Sequence, residues 1–575
     1  MASGKMPHLR VFVMGALLVT ESLSFAPVGM PQGPGRLGGK ISSVRSASTT
    51  QPGRRIQTHA LHGQHRRLGA APGGRADTRR ARSVVSATSF DGDGNGEQDA
   101  PARTPAKVSV ETNKPEQICV LGGGFGGLYA ALRLQKMPWR GRRPVVTLVD
   151  KRDKFTFLPL LYEFAIGNAE LDEVAPTFRE LLEGSRVSFV QGCVSGVDLG
   201  GKEVTVEGAV SDDFDGFMIS DDADQSRTIK YDKLVLAVGA EPASGIDRVP
   251  GARERAIPFY SIEDSYRVKQ AIIKLKALVK ETAVARVVVV GGSYAGVELS
   301  CNLATELVKG RKGKGVSGKV EVTLASGSEV LPVATPGNRE AGVRRLRESG
   351  VRVATGTRVS EVREDGVVVL QRQGDEGGGG EGEEEIKADL LIWTAGSQPS
   401  SLVDSLDVQK DARGRIEVDR RLRLADGVGV GGGGRGGEGG RGAWRDDVYC
   451  LGDIAAVEGL DLGCNAQVAL QQSDYVAYNI WADSERRKPL DFRFLNLGEM
   501  MNLGGLDGSV TTLGGRVKLT GKAAGLARRA VYAVRMPTNP QRLRAAASAA
   551  AGTAFSVTNA ILDKGFDILQ RPSKD

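Results

Sequence analysis

The chain has only four histidines in 575 residues, at positions 8, 59, 62 and 65. Everything after His65 must therefore work without an imidazole, which excludes histidine-based acid–base triads and histidine metal sites from the body of the protein. Cysteine is nearly as scarce. Cys119, Cys193, Cys301, Cys450 and Cys464 include no C-x-x-C or other close pair. That spacing argues against a redox disulfide, a structural zinc site or an iron–sulfur cluster, so no metal is expected and the thiols read as reduced and mostly buried. Between residues 91 and 575 no apolar run is long enough to span a bilayer. Acidic charge is scarce at the start of the chain: residues 1–90 hold 13 Lys and Arg against Glu21 and Asp77, a net +11. The total is +8, which leaves the remainder at −3, so no nucleic acid partner is expected.

The basic stretch reads as an address. Lys5 and Arg10 precede an apolar run from Val11 to Val19, too short for a membrane span and suited to a signal peptide. Residues 26–90 are rich in Arg, Ser, Gly and Ala, a transit-peptide composition. A signal peptide (1–25) joined at Ser24-Phe25-Ala26-Pro27 to this transit-like segment resembles the bipartite presequences that direct proteins into membrane-wrapped plastids. A plastid location is therefore the expectation. Residues 91–115 read as linker, and the Gly-rich stretches 374–385 and 427–442 as surface loops.

The folded part begins with a dinucleotide turn. The apolar run Ile118–Leu121 leads into Gly122-Gly123-Gly124-Phe125-Gly126-Gly127, then into a segment with helical apolar spacing. This is strand, G-x-G-x-x-G, helix. Gly122 permits the tight turn, Gly124 lets backbone N–H groups approach a pyrophosphate, and Gly127 lets helix pack on strand. A second strand, Val145–Val149, ends on Asp150, where a carboxylate accepts from a ribose 2′-OH.

The pattern recurs at Val287-Val288-Val289-Val290-Gly291-Gly292-Ser293-Tyr294-Ala295-Gly296. Gly291 and Gly296 hold the first and third glycine positions, with Ser293 at the second. A Ser side chain narrows the approach to a phosphate while adding a hydroxyl donor, so weakened binding is expected rather than none. The next strand, Val320–Leu324, ends on Ala325-Ser326, where an NADH-selective site places an acid, so NADPH should be tolerated. Two similar strands, Tyr231 to Gly239 and Ala388 to Gly396, bracket this second unit, as expected if one nucleotide domain is inserted into another.

With Val448-Tyr449-Cys450-Leu451-Gly452-Asp453 the order of motifs resembles the two-dinucleotide flavoprotein oxidoreductases, and within them the plastid branch of the type II NAD(P)H:quinone oxidoreductases. The expected fold is α/β: two Rossmann-like domains, an FAD domain (116–255 and 388–485) with an inserted NAD(P)H domain (256–387), and a small C-terminal domain (486–575) that associates with a membrane. The resemblance implies FAD at the first turn, NADH or NADPH at the second, and Asp453 on the flavin ribityl chain. Phe157–Gly167, with Pro159 and Leu160, resembles the segment along the flavin ring. Gly239 and Gly396 fall at the cofactor-side strand ends. Ala466-Gln467-Val468-Ala469-Leu470-Gln471 matches the family's quinone motif; Gln467 and Gln471 share a helix face, their amides open to quinone carbonyls or the flavin edge. Glu298 matches an acid near nicotinamide and flavin, and a helix-start carboxylate also has a structural rationale.

The implied activity passes a hydride from NAD(P)H to FAD and two electrons to a prenylquinone, plastoquinone or a phylloquinone-pathway naphthoquinone, without proton pumping. Lys522–Met536 places Leu526, Ala530, Val531 and Val534 on one face with Arg528, Arg529 and Arg535 elsewhere, which suits either a helix lying in a membrane or lipid-droplet surface or one packed on its domain. Resembling enzymes are commonly homodimers. An alternative from another class is a low-turnover, redox-sensing flavoprotein of the apoptosis-inducing-factor kind, favoured by Ser293.

Overall fold

The computed structural model describes residues 114–211, 226–243, 245–281, 284–308, 319–372, 382–425 and 444–550. The presequence, nearly all of the linker, the stretch 427–442 and the tail from 551 lie outside the described residues.

Two sheets carry the two turns, each turn on a strand with parallel neighbours. In the first, Gln117–Leu121 lies between Val145–Asp150 and Lys233–Leu236, with Trp444–Cys450 beyond the latter and Val187–Asp198 beyond the former. In the second, Val284–Val290 lies between Lys319–Ser326 and Leu390–Trp393, flanked by Arg352–Thr355 and Ala256–Pro258. Strands covered on both faces read as continuous apolar runs, and Val287 to Val290 are all at most 7% exposed. Each turn leaves the carboxyl end of its strand where the sheet order reverses, which is where open α/β sheets bind ligands.

The expected boundary at 387/388 moves. Leu390–Trp393 pairs with Val284–Val290 and so belongs to the second sheet. The likeness between 231–239 and 388–396 is that of two copies, each strand lying beside its own glycine-turn strand. The crossing is made by an antiparallel ribbon, Ala240–Pro242 with Ser397–Pro399, which starts one residue past Gly239 (φ +70°) and Gly396 (φ +80°). The end of the first Gly-rich stretch also differs from expectation: Glu383–Lys387 is a strand paired with Val367–Gln371.

The C-terminal part is an antiparallel sheet, Glu499–Asn502, Gly508–Thr512 and Val517–Gly521, followed by the helix Lys522–Arg535. The helix packs closely on that sheet's first turn, since a Cβ on Gly525 would sit 1.8 Å from the Leu506 carbonyl oxygen. No helix among the described residues is long and apolar enough to cross a membrane.

Candidate active site between two nucleotide turns

Both turns are shaped by what a side chain would collide with. Gly122 has φ +96°, and a Cβ there would lie 2.3 Å from the Ala237 carbonyl oxygen; at Gly127 it would lie 1.9 Å from that of Gly122. At Gly124 it would meet nothing within 4 Å, so the second glycine faces open, exposed space. The helix Gly127–Lys136 that follows has no side-chain cap and no acid in its first turn, which leaves its N–H groups for an anion. These residues fit the pyrophosphate of a dinucleotide. Asp150 Oδ2 accepts from Gly123 N at 2.6 Å, so the acid braces the loop and keeps further acceptor capacity.

The second turn repeats the frame with other contents. Gly291 has φ +120° and would place a Cβ 2.6 Å from Thr394 Oγ1, while one on Gly296 would lie 1.7 Å from the Gly291 oxygen. Ser293 is exposed, as Gly124 is. Gly291 N donates to Ala325 O as Gly122 N donates to Val149 O, which makes Ser326 the counterpart of Asp150. Ser326, not Ala325, is thus the position where the acid is missing.

On the flavin side, Gly452 (φ +79°) and Asp453 start a short helical turn. Burial raises the Asp453 carboxyl, and no donor among the described residues bonds it, which fits a ligand hydroxyl. Gln472 Oε1 accepts from Gly452 N at 2.7 Å and fixes the turn. The segment Leu158–Ala165, with Leu160 buried and Pro159 half-buried, runs between the first turn and the C-terminal helix: Phe157 meets Phe125 at 5.3 Å and Tyr532 at 5.4 Å, ring centre to ring centre.

Gln467 and Gln471 do share a face of the helix Ala466–Ser484, which Asn465 caps. Their amides are not free. Gln467 accepts from Leu497 N at 3.0 Å and donates to Gly498 O at 3.2 Å; Gln471 accepts from Leu495 N at 2.9 Å and donates to Leu495 O at 2.8 Å. The pair clamps the backbone of 495–498 and presents Leu495, 54% exposed. Each amide keeps one N–H beyond these bonds. The other end of that strap is held by Glu499 Oε2, which accepts from Tyr294 Oη (2.7 Å), Thr335 N (3.0 Å), Thr335 Oγ1 (2.9 Å) and Asn338 Nδ2 (3.3 Å).

Glu298 is buried where three parts of the chain meet. Oε1 accepts from Asn502 N at 2.6 Å, and Tyr162 and Arg528 are among the groups that act on the carboxyl. Desolvation pushes its pKa to about 7 against the opposing pull of the Asn502 N–H and Arg528. Next to it Glu163, 1% exposed, receives Arg528, Arg529 and Asn502. The C-terminal helix is therefore turned with two arginines inward, leaving Leu526, Val531 and Val534 half-buried and Ala530 exposed. Sequence reading missed Glu163, Asn502 and the inward arginines. One signal was available: a single acid inside Leu158-Pro159-Leu160-Leu161-Tyr162-Glu163-Phe164-Ala165 requires a buried donor or cation.

Comparison with known proteins agrees with this geometry. The pyridine nucleotide-disulphide oxidoreductase family matches residues 116–472. Demethylphylloquinone reductase NdbB of Synechocystis is 35% identical over 434 residues, 74% of this chain and 94% of that protein. The chloroplastic/mitochondrial alternative NAD(P)H-ubiquinone oxidoreductase C1 of Arabidopsis thaliana is 34% identical over 464 residues, 76% of this chain and 81% of that protein. The chain belongs to the pyridine nucleotide-disulphide oxidoreductase family, in its type II NAD(P)H:quinone oxidoreductase branch. In fold it is similar to NDH2 of Plasmodium falciparum solved with NADH, at a TM-score of 0.61, 16% identity, and 76% of this chain against 97% of that one. As a member of this family it lacks a close cysteine pair, and its five thiols are free, with Cys193 and Cys464 exposed.

Proposed function

We propose that the protein oxidises NADH or NADPH and reduces a prenylquinone to its quinol, taking up one proton beyond the transferred hydride. The observation that carries this is the Glu298 junction: the helix of the second nucleotide turn reaches, through Asn502, Glu163 of the segment beside the first. Bound FAD supplies the step between a two-electron hydride donor and a quinone acceptor. The chain supplies the rest. Gly122, Gly124, Gly127, Asp150 and Asp453 hold the flavin; Gly291, Ser293 and Gly296 hold the nicotinamide dinucleotide; Gln467 and Gln471 set the strap at the acceptor side; Glu298, titrating near neutrality, holds the proton.

The cyanobacterial relative's name supports a naphthoquinone of the phylloquinone type as acceptor, and the plant relative's name supports residence in a plastid. The outward apolar face of Lys522–Arg535 supports docking on a membrane or lipid-droplet surface, from which a prenylated quinone would enter beside Leu495. We take a homodimer as the working assembly. Ser293 shares the open position of Gly124, so it gives the low-turnover sensor reading little support.

Stopped-flow mixing tests the enzyme reading. NADH and NADPH should each bleach the flavin absorbance, and a naphthoquinone should restore it; a flavin that stays oxidised with both nucleotides overturns the proposal. Co-flotation with liposomes tests docking, with Val531→Glu expected to lower the bound fraction.

A further inference from the structure

Arginine is seldom fully buried unless paired, yet the C-terminal helix buries two in succession against one carboxylate. Arg528 and Arg529 are 2% and 9% exposed, and each bonds one oxygen of Glu163. Desolvating two guanidinium groups carries a penalty that a single carboxylate offsets only in part, and apolar side chains would seat a helix at lower cost. Packing alone therefore does not account for the cluster. Asn502 ties it to Glu298: its backbone N–H bonds Glu298 Oε1 at 2.6 Å, and its Nδ2 bonds Glu163 Oε1 at 3.1 Å.

The titratable and charged groups that face Glu298 come from three elements. They are Tyr162 and Glu163 from the flavin-side segment, Arg528 and Tyr532 from the C-terminal helix, and Tyr294 and Cys301 from its own helix. Burial raises the tyrosines and the thiol, which leaves Glu163 and Arg528 as the charged side chains facing Glu298.

We propose that Glu163, Arg528, Arg529 and Asn502 are positioning residues for Glu298, and that the Glu163 carboxylate, held by both arginines, and the Arg528 guanidinium together set whether Glu298 carries a proton in the assembled site. This rests on the reading of Glu298 as the proton-holding group. It gives the C-terminal helix a part in the chemistry beside any part in docking. The two charges act with opposite sign: Glu163 raises the Glu298 pKa and Arg528 lowers it.

The test is pH-difference infrared spectroscopy on the full-length flavin-loaded protein, with the protonated-carboxyl band of Glu298 assigned by its loss in Glu298→Gln. Glu163→Gln should lower the midpoint by about one pH unit or more, and Arg528→Gln should raise it by a similar amount. Arg528→Lys, which keeps the charge, should leave the midpoint near the wild type, a rescue that a packing role does not predict. Circular dichroism and flavin content identify the folded variants; if Arg528→Gln does not fold, Glu163→Gln and Arg528→Lys decide. Unchanged midpoints in folded Glu163→Gln and Arg528→Gln, or shifts of the same sign, overturn the proposal. The infrared titration needs no turnover. A protein inactive toward every quinone but showing opposed shifts would overturn the catalytic reading and support this one.

Discussion

The two nucleotide turns are copies of one frame finished in opposite ways. Position by position, Gly122 answers to Gly291, Gly124 to Ser293, Phe125 to Tyr294, Gly127 to Gly296, Tyr129 to Glu298 and Asp150 to Ser326. Around the first, the side chains close into an aromatic cluster of Phe125, Tyr129, Phe155 and Phe157, and an acid braces the loop. Around the second they reach outward as polar groups: Tyr294 to Glu499 of the C-terminal sheet, and Glu298 to Asn502. The apolar turn suits a cofactor that stays; the polar turn suits one that comes and goes beside a proton. Backbone geometry is shared because the collisions are with backbone atoms, whereas chemistry differs where the side chains project.

The largest effect tests the shared frame. Gly127→Val and Gly296→Val each drive a side chain into a backbone oxygen less than 2 Å away, at a cost of about 3 kcal/mol or more. The copies should then differ in what is lost. Gly127→Val should give apoprotein or no soluble protein, while Gly296→Val should retain flavin, read as the flavin-to-protein absorbance ratio, and lose reduction by NAD(P)H.

Next comes the pair Tyr129 and Glu298. Glu298→Gln should lower quinone turnover about 100-fold, the scale of a lost acid–base group, and should also change stability against pH. Because the folded pKa lies near 7, above the unfolded value near 4.5, the folded state binds the extra proton between those limits. The stability from this group is complete below pH 4.5 and is lost as pH rises through 7, on the order of 3 kcal/mol. Denaturant melts of Glu298→Gln should lack that decline; an identical decline would place the titration elsewhere.

A third change copies the brace. Ser326→Asp places a carboxylate where Asp150 stands, able to accept from Gly292 N and to repel a 2′-phosphate. The ratio of kcat/KM for NADH over NADPH should rise about tenfold, roughly 1.4 kcal/mol of discrimination.

What was legible in the sequence was the local frame. The strand expected at 320–324 appears at Lys319–Ser326, and the apolar run Val287–Val290 lies within the strand Val284–Val290. Periodicity and glycine spacing act over a few residues, so they specify turns and strand ends well. The sheet partner of Leu390–Trp393 is a choice among distant strands and was misassigned for that reason. The partners of the glutamines and arginines were not legible on another ground. Helical spacing shows which residues share a face but not what the face meets, so neither the strap that Gln467 and Gln471 hold nor Glu163, 365 residues from Arg528 and 366 from Arg529, could be read from it.

The smallest expected effect bears on the one glycine the second turn lacks. Ser293 stands where Gly124 has open space on every side, so its Cβ strains nothing within the protein and its cost falls on an approaching phosphate alone. Its hydroxyl offsets part of that cost as a donor. Ser293→Gly should therefore lower the KM for NADH and NADPH together by about two- to threefold, under 1 kcal/mol, with kcat unchanged, the sign of uniform binding. The reciprocal Gly124→Ser should slightly weaken retention of the flavin through dialysis and leave the nicotinamide KM where it is. If Ser293→Gly instead changes flavin retention and not KM, the two dinucleotides occupy the opposite turns.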